Sequence, residues 1–231
     1  MSASAPPIVD LAGVTKIYPR GGGDVAALAG VSLQIASGEK VAIMGPSGSG
    51  KSTLLGILGC LDRPTAGAYR LDGQEVATLD DNRLSHIRNL RIGFVFQSFH
   101  LIPELTVVEN VETPFLYGPV PLAEWRPRAL ASLGRVGLGH RADHRPSELS
   151  GGEAQRAAVA RALVTEPRLI LADEPTGNLD TRTGEEIASL LDGLHAEGRT
   201  IVLVTHNEAL GRRAERRIRL RDGRIESGAS E

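Results

Sequence analysis

The rhythm of apolar and polar residues changes several times along the chain, and each change predicts an element. Met1 to Asp10 shows no rhythm and reads as a loose tail. Val14 to Tyr18 reads as a short strand, Gly21-Gly22-Gly23-Asp24 as a turn, and Ala26 to Ile35 alternates well enough for a second strand. Glu39 to Met44 is a short apolar strand broken at Gly45, and Ser52 to Leu61 has helical spacing. Ala68 to Leu71 and Gly73 to Val76 suggest a hairpin turning at Asp72-Gly73, and Ile92 to Phe96 reads as a buried strand. From Ser98 to Ser147 the prolines 103, 114, 119, 121 and 127 interrupt helical stretches such as Ala129 to Val136, which predicts a mostly helical insertion. A helix over Ala154 to Thr165 follows. The strand Arg168 to Ala172, helix Thr183 to Glu197 and strand Thr200 to Thr205 then form a βαβ unit of a parallel sheet. Arg217 to Glu226 reads as a hairpin turning at Asp222-Gly223.

Composition narrows this picture. A chain of 231 residues with 41% hydrophobic and 23% charged residues suits one packed α/β domain. A net charge of −2 lacks the basic excess of a general nucleic-acid binder. Cys60 is the single cysteine, so no intrachain disulfide forms and a reducing compartment is expected. The start has no basic and apolar leader pattern, and no apolar run reaches the ~18 residues that span a bilayer. A cytoplasmic protein is therefore expected, unless a partner holds it at a membrane.

Candidate chemistry begins where the third strand breaks. Gly45-Pro46-Ser47-Gly48-Ser49-Gly50-Lys51-Ser52-Thr53 fits the P-loop pattern and lies between a buried strand and a helix, as that motif requires. Glycines let the backbone N–H groups point inward around a polyphosphate, and the helix start adds the positive end of its dipole. Lys51 supplies a mobile charge for the outer phosphates, and Ser52 offers a hydroxyl to Mg²⁺. Leu169 to Pro175 delivers Asp173 and Glu174 at the carboxyl end of a strand, where open α/β sheets bind ligands. Asp173 is the candidate metal ligand, and Glu174 the candidate base for an attacking water. Ser150-Gly151-Gly152 precedes the helix beginning near Glu153 and forms a second start with free backbone N–H groups.

The segment Leu149 to Arg156 (LSGGEAQR) resembles the signature motif of ATP-binding cassette proteins, and the resemblance runs from about Val14 to Ser227. It implies an α/β P-loop NTPase fold: a RecA-like core (8–97 and 154–228), an N-terminal antiparallel β-subdomain, and a helical subdomain inserted at about 98–153. It also implies an ATPase whose cofactors are ATP and Mg²⁺. Two ATP molecules would be sandwiched in a head-to-tail homodimer, with Ser150, Gly151, Gly152 and Glu153 of one copy closing on the phosphate loop of the other. By the same resemblance, Tyr18 stacks on adenine and Gln97 ligates Mg²⁺ beside Ser52 and reaches the attacking water. Asp180 couples the two halves, and His206 contacts the γ-phosphate.

Leu58 to Thr65 (LGCLDRPT), Ile92 to Pro103 and Pro175 to Asp180 resemble the branch that includes LolD, MacB and FtsE. That implies a partner permease in separate transmembrane chains, with the ATPase peripheral on the cytoplasmic face of the inner membrane. Export or lipoprotein release is the expected work, and a regulatory role toward cell-wall hydrolases is the alternative. An ATPase acting on DNA or ribosomes would carry two cassettes or a long coiled-coil insertion. Phe99, Leu101, Ile102 and Pro103 either line a groove for the permease or belong to the core of the helical subdomain. The basic stretch Arg212 to Arg224 is expected on a solvated face, and Cys60 in the core of an apolar helix.

Overall fold

The computed structural model describes residues 6–19, 21 and 23–226. Residues 1–5 of the expected tail, 22 of the expected turn and 227–228 at the end of the expected domain lie outside these.

Two sheets carry the fold. The first is antiparallel, in the order β2-β1-β4-β5, from β1 (Val9–Tyr18), β2 (Val25–Ile35), β4 (Ala66–Leu71) and β5 (Gln74–Glu75). The second has six strands in the order β10-β9-β3-β8-β7-β6. Its members are β3 (Lys40–Met44), β6 (Ile92–Phe96), β7 (Leu169–Asp173), β8 (Thr200–Val204), β9 (Arg216–Arg221) and β10 (Arg224–Ile225). All of its pairings are parallel except β10 with β9. Every residue of β3 and β8 is buried, which is why both read as unbroken apolar runs rather than as alternation. The buried exceptions are Lys40, 1% exposed, whose ammonium is paired with Asp192, and Thr200, whose hydroxyl accepts from the Gly38 N–H at 2.9 Å.

The helices are α1 (Lys51–Leu58), α2 (Asp81–Arg91), α3 (Val107–Glu112), α4 (Leu122–Arg135), α5 (Gly151–Leu163), α6 (Thr181–Ala196) and α7 (Glu208–Gly211). Helices α3, α4 and α5 pack together between β6 and β7, through Val107, Val111, Leu133, Val159 and Leu163.

Several expectations are corrected. The tail ends earlier than its lack of rhythm suggested: Ile8 is 2% exposed, and β1 starts at Val9, paired with both Ile35 and Leu71. A gap in the β1 register between Leu11 and Val14 had broken its alternation. Helix α2 was not foreseen, because only Leu84 and Ile87 of its length are buried. Helix α4 runs through Pro127 instead of stopping there, since Pro121 caps it and the proline sits early enough to forfeit a single internal bond. Cys60 is buried but lies in the turn after α1, with φ 53. Of the arginines near the C-terminus, 212, 219, 221 and 224 are exposed as expected, while the half-buried Arg213 pairs with Glu185 and Asp192 and Arg216 with Glu39. Phe99 and Leu101 are half-buried, Leu101 against the helical core, while Ile102 is exposed.

Candidate functional site

Strands β3, β7 and β8 run parallel with Ile43 beside Val204 and Val204 beside Asp173. Their carboxyl ends therefore deliver Gly45, Asp173-Glu174 and Thr205-His206 to one edge of the sheet.

After β3 the chain turns through Gly45 (φ 155), Gly48 (φ 78) and Gly50 (φ 102). A Cβ at Gly45 would collide with the carbonyl oxygen of Leu220, and one at Gly50 with that of Ala27. Both positions thus require glycine for conformation and for space. Gly50 is the N-cap of α1, and no side chain bonds to this helix start. The N–H groups of the first turn are left for something outside the helix. Lys51 Nζ lies across the loop, donating to the carbonyls of Gly45 at 2.7 Å and Pro46 at 2.9 Å. Ser49 is 2% exposed and its hydroxyl has no partner. Beside the loop opens a cavity of about 400 Å³ lined by Ala26, Gly48, Gly50, Lys51, Ser52 and Thr53. An uncapped helix start and a cation around one cavity fit a polyphosphate.

Glu174 follows β7 in a left-handed conformation, φ 44. Its backbone is held by N–H donation to Val204 at 2.8 Å and by the N–H of Gly177 at 2.9 Å. Its carboxylate is held too. Oε1 accepts from the N–H of His206 at 2.8 Å and lies 2.6 Å from His206 Nδ1, and Oε2 accepts from the Thr205 hydroxyl at 2.9 Å. The Glu174 side chain is 15% exposed and that of His206 76%, so the imidazole is the partner free to swing away. The Asp173 carboxyl titrates above the usual range, because burial and the negative charge of Glu174 oppose its ionisation, with Lys51 pulling the other way. Adjacent carboxylates of this kind suit a divalent cation. Ser52, Gln97 and Asp173 all offer oxygen donors, and magnesium needs few ligands from protein. Among the described residues, no group of three or more His, Cys, Asp or Glu side chains forms a cage.

Gln97 is turned toward the loop ahead of Asp180. Its Nε2 donates to Asn178 Oδ1 at 3.0 Å, and Asn178 Nδ2 donates to the Gln97 carbonyl at 3.1 Å. Asp180 caps α6, accepting from the Thr183 N–H and hydroxyl. The start of α5 packs against the same turn, where a Cβ on Gly152 would strike the Thr183 methyl. Ser150 caps α5 in a reciprocal box with Glu153, which also pairs with Arg141 at 3.0 Å. The Ser150 N–H and hydroxyl hold the Glu153 carboxyl down, at about 2. Tyr18 ends β1, 39% exposed, with its phenol donating to Asp62 Oδ2 at 2.8 Å.

The residues expected to act together thus fall into two groups. The phosphate loop, Asp173, Glu174 and His206 share one sheet edge. Ser150, Gly151, Gly152, Glu153 and Asp180 gather at the adjoining starts of α5 and α6, with Gln97 and Asn178 leading toward them. Sequence reasoning missed Thr205, wholly buried and bonded to Glu174, and Asn178, bonded to Gln97. The only available signal was their place beside singled-out residues.

Comparison with known proteins agrees with this geometry. The family model described as ABC transporter matches residues 28–177. An ABC transporter ATP-binding protein of Thermotoga maritima is 56% identical over 95% of this chain and 94% of its own length. The macrolide export ATP-binding/permease protein MacB 1/2 of Paracoccus denitrificans is 51% identical over 97% of this chain, which spans only 34% of that protein. A solved dimer of the ATP-binding cassette MJ0796, in a post-hydrolysis state bound to ADP and Pi, is 50% identical. It superposes with a TM-score of 0.86, covering 94% of this chain and 96% of that one.

Proposed function

Since the chain belongs to the ABC transporter family, we propose that it is the ATP-hydrolysing subunit of an exporter or lipoprotein-releasing system. Two copies close head to tail on nucleotide, and separate permease chains are driven by that closure. The observation that carries this reading is the clustering of Glu174, His206 and the glycine loop at one sheet edge, with the carboxylate already oriented. Magnesium-bound ATP, when present, supplies the γ-phosphoryl group and its anhydride bond. Lys51 and the open start of α1 would bind the phosphates, while Ser52, Gln97 and Asp173 would hold the metal, whose charge would offset that of the phosphates. Glu174 takes a proton from water as the water oxygen bonds to the γ-phosphorus and the bond from that phosphorus to the departing ADP breaks, and His206, swung from its resting contact, steadies the outer phosphate. Ser150 and Gly152 of the second copy exclude solvent from the cavity, and Asp180 relays closure through α6.

Support for a separate permease comes from relatives of similar length that carry only the ATP-binding part, such as YvrO of Bacillus subtilis, 50% identical over 95% of that protein. No helix among the described residues is long and apolar enough to cross a membrane, so membrane contact in this reading is made through the permease, on the cytoplasmic face. The test is Glu174→Gln. It should still bind ATP, lose turnover by about 10²–10³-fold, and accumulate as a dimer in size-exclusion chromatography with ATP. Turnover at the parent rate would assign the base elsewhere. Copurification then identifies the permease, and an FtsX-like partner would replace transport with regulation of cell-wall hydrolases.

A further inference from the structure

The stretch Leu58 to Thr65 marks the branch in sequence, yet the function above gives it no role. In the structure it folds back on α1 and reaches the end of β1. Cys60, at φ 53, reverses the chain, and the N–H groups of Leu61 and Asp62 both donate to the Gly56 carbonyl, at 2.8 and 3.2 Å. This lays Asp62 along the flank of the phosphate-loop helix. Thr65 stitches the far side of the turn to β1: its N–H donates to Thr15 at 2.7 Å, and its hydroxyl accepts from Ile17 N–H at 3.0 Å.

Between those anchors sits a three-residue cluster. Asp62 Oδ2 accepts from the Tyr18 phenol at 2.8 Å. Asp62 Oδ1 accepts from Lys16 Nζ at 2.5 Å and from the Arg63 N–H at 2.7 Å. Lys16 Nζ also donates to the Arg63 carbonyl at 2.8 Å and stands over the Tyr18 ring, 4.9 Å from its centroid. One face of the ring is thereby covered by a cation, and the opposite face is left to a planar partner. Burial works against the Asp62 charge, but the bonds from Lys16, Tyr18 and Arg63 outweigh it and hold the carboxyl below its ordinary value.

We propose that Asp62 is a positioning residue for nucleotide-base binding: it clamps the Tyr18 phenol and the Lys16 ammonium, so that the tyrosine ring is presented in fixed register with the phosphate loop. This rests on the reading of Tyr18 as the base platform. A ring fixed in advance loses less rotamer freedom when a base stacks on it, so the clamp acts on affinity for the base and leaves the phosphates alone.

The experiment measures binding of magnesium-ATP and of magnesium with inorganic triphosphate to the parent, Asp62→Ala, Asp62→Asn, Tyr18→Phe and Tyr18→Ala, with thermal melting of each. Asp62→Ala should weaken ATP about five- to tenfold, leave triphosphate unchanged, and weaken ATP at least as much as Tyr18→Phe, which keeps the ring and Lys16's partner but lacks the phenol. The double variant Asp62→Ala with Tyr18→Phe should be no worse than Asp62→Ala alone. Asp62→Asn, which keeps an acceptor for the phenol, should lie between Asp62→Ala and the parent. Equal weakening of ATP and triphosphate, or parent-like ATP binding by Asp62→Ala, would overturn the clamp. If Tyr18→Ala itself bound ATP like the parent, the base platform would fall and the clamp with it. A loss in Tyr18→Ala without one in Asp62→Ala would remove the clamp alone.

Discussion

Two helix starts in this chain are built from nearly the same residues and left in opposite conditions. Helix α1 begins after Gly-Ser-Gly with a left-handed glycine as its cap, no side-chain bond at the cap and no acid in its first turn. Helix α5 begins with Ser-Gly-Gly, and its cap is filled from within. The Ser150 hydroxyl accepts from the Glu153 N–H at 3.3 Å while donating to the Glu153 carboxylate at 2.8 Å, and that carboxylate also accepts from the Ser150 N–H at 2.9 Å. At the first start no side chain takes an N–H group, and the first turn is open to an anion. At the second the serine is already engaged, and an anion must compete with Glu153 for its hydroxyl.

The sharpest way to break that contrast is Lys51→Ala. If α1 is built for a ligand, this variant should lose ATP affinity by roughly 10²–10³-fold, with little change in thermal stability. The lysine's partners are the Gly45 and Pro46 carbonyls, and Pro46 is exposed to water. Isothermal titration and a melt of the unliganded protein give both numbers. Retained affinity would mean that the loop amides suffice. Next in size is Gly50→Ala, which forces an alanine to φ 102 and drives its Cβ into the Ala27 carbonyl. A loss of about 1–3 kcal/mol in urea unfolding is expected. A smaller loss would show that the loop relaxes and that its open geometry is not obligatory.

How much of this contrast was legible beforehand differs between the two starts. The phosphate loop was readable because chemistry dictates residue type at nearly every position; strand β3 and the start of α1 lay within a residue of expectation, while α1 ends at Leu58, three residues before the expected Leu61. The parallel core was readable for a related reason: β3, β6, β7 and β8 are buried on both faces and appear as apolar runs. Elements on one layer were harder. Most of α2 faces water, and β1 hid behind a register break. At α5, the Ser150-to-Glu153 spacing was visible, but the occupancy of the serine was not. Likewise, nothing in the spacing announced that Thr205 would seat Glu174, or that the turn after α1 would return to Tyr18. Such contacts join residues far apart in sequence, and only the packed structure brings them within hydrogen-bonding distance.

Ser150→Ala is the smaller and complementary test. Removing a filled cap should cost about 1 kcal/mol of stability without any ligand, the reverse of the expectation for Lys51→Ala. In the Glu174→Gln background it should also weaken the ATP-dependent dimer. If unfolding were unaffected while dimerisation fell, the cap would be as ligand-dependent as the loop, and the contrast would fail.

The smallest effect expected comes from protons, and it separates the two starts without touching either backbone. The Glu153 carboxyl is held down to about 2 by the Ser150 N–H and hydroxyl, with Arg141 adding a lesser pull. A depressed folded value means that the unfolded chain, with an ordinary carboxyl near ~4.3, takes up a proton first. The cap's contribution is therefore complete above about pH 5 and declines as pH falls from there toward about 2. Glu153→Gln has no such proton to gain. The difference in unfolding free energy between parent and Glu153→Gln should be flat from pH 7 to 5, at about 1 kcal/mol or less, and shrink steadily at pH 4 and 3. Helix α1 has no acid in its first turn, so the deficit of Gly50→Ala should stay constant over the same range. A pH-independent gap for Glu153→Gln would mean that its carboxylate is not what fills the second start.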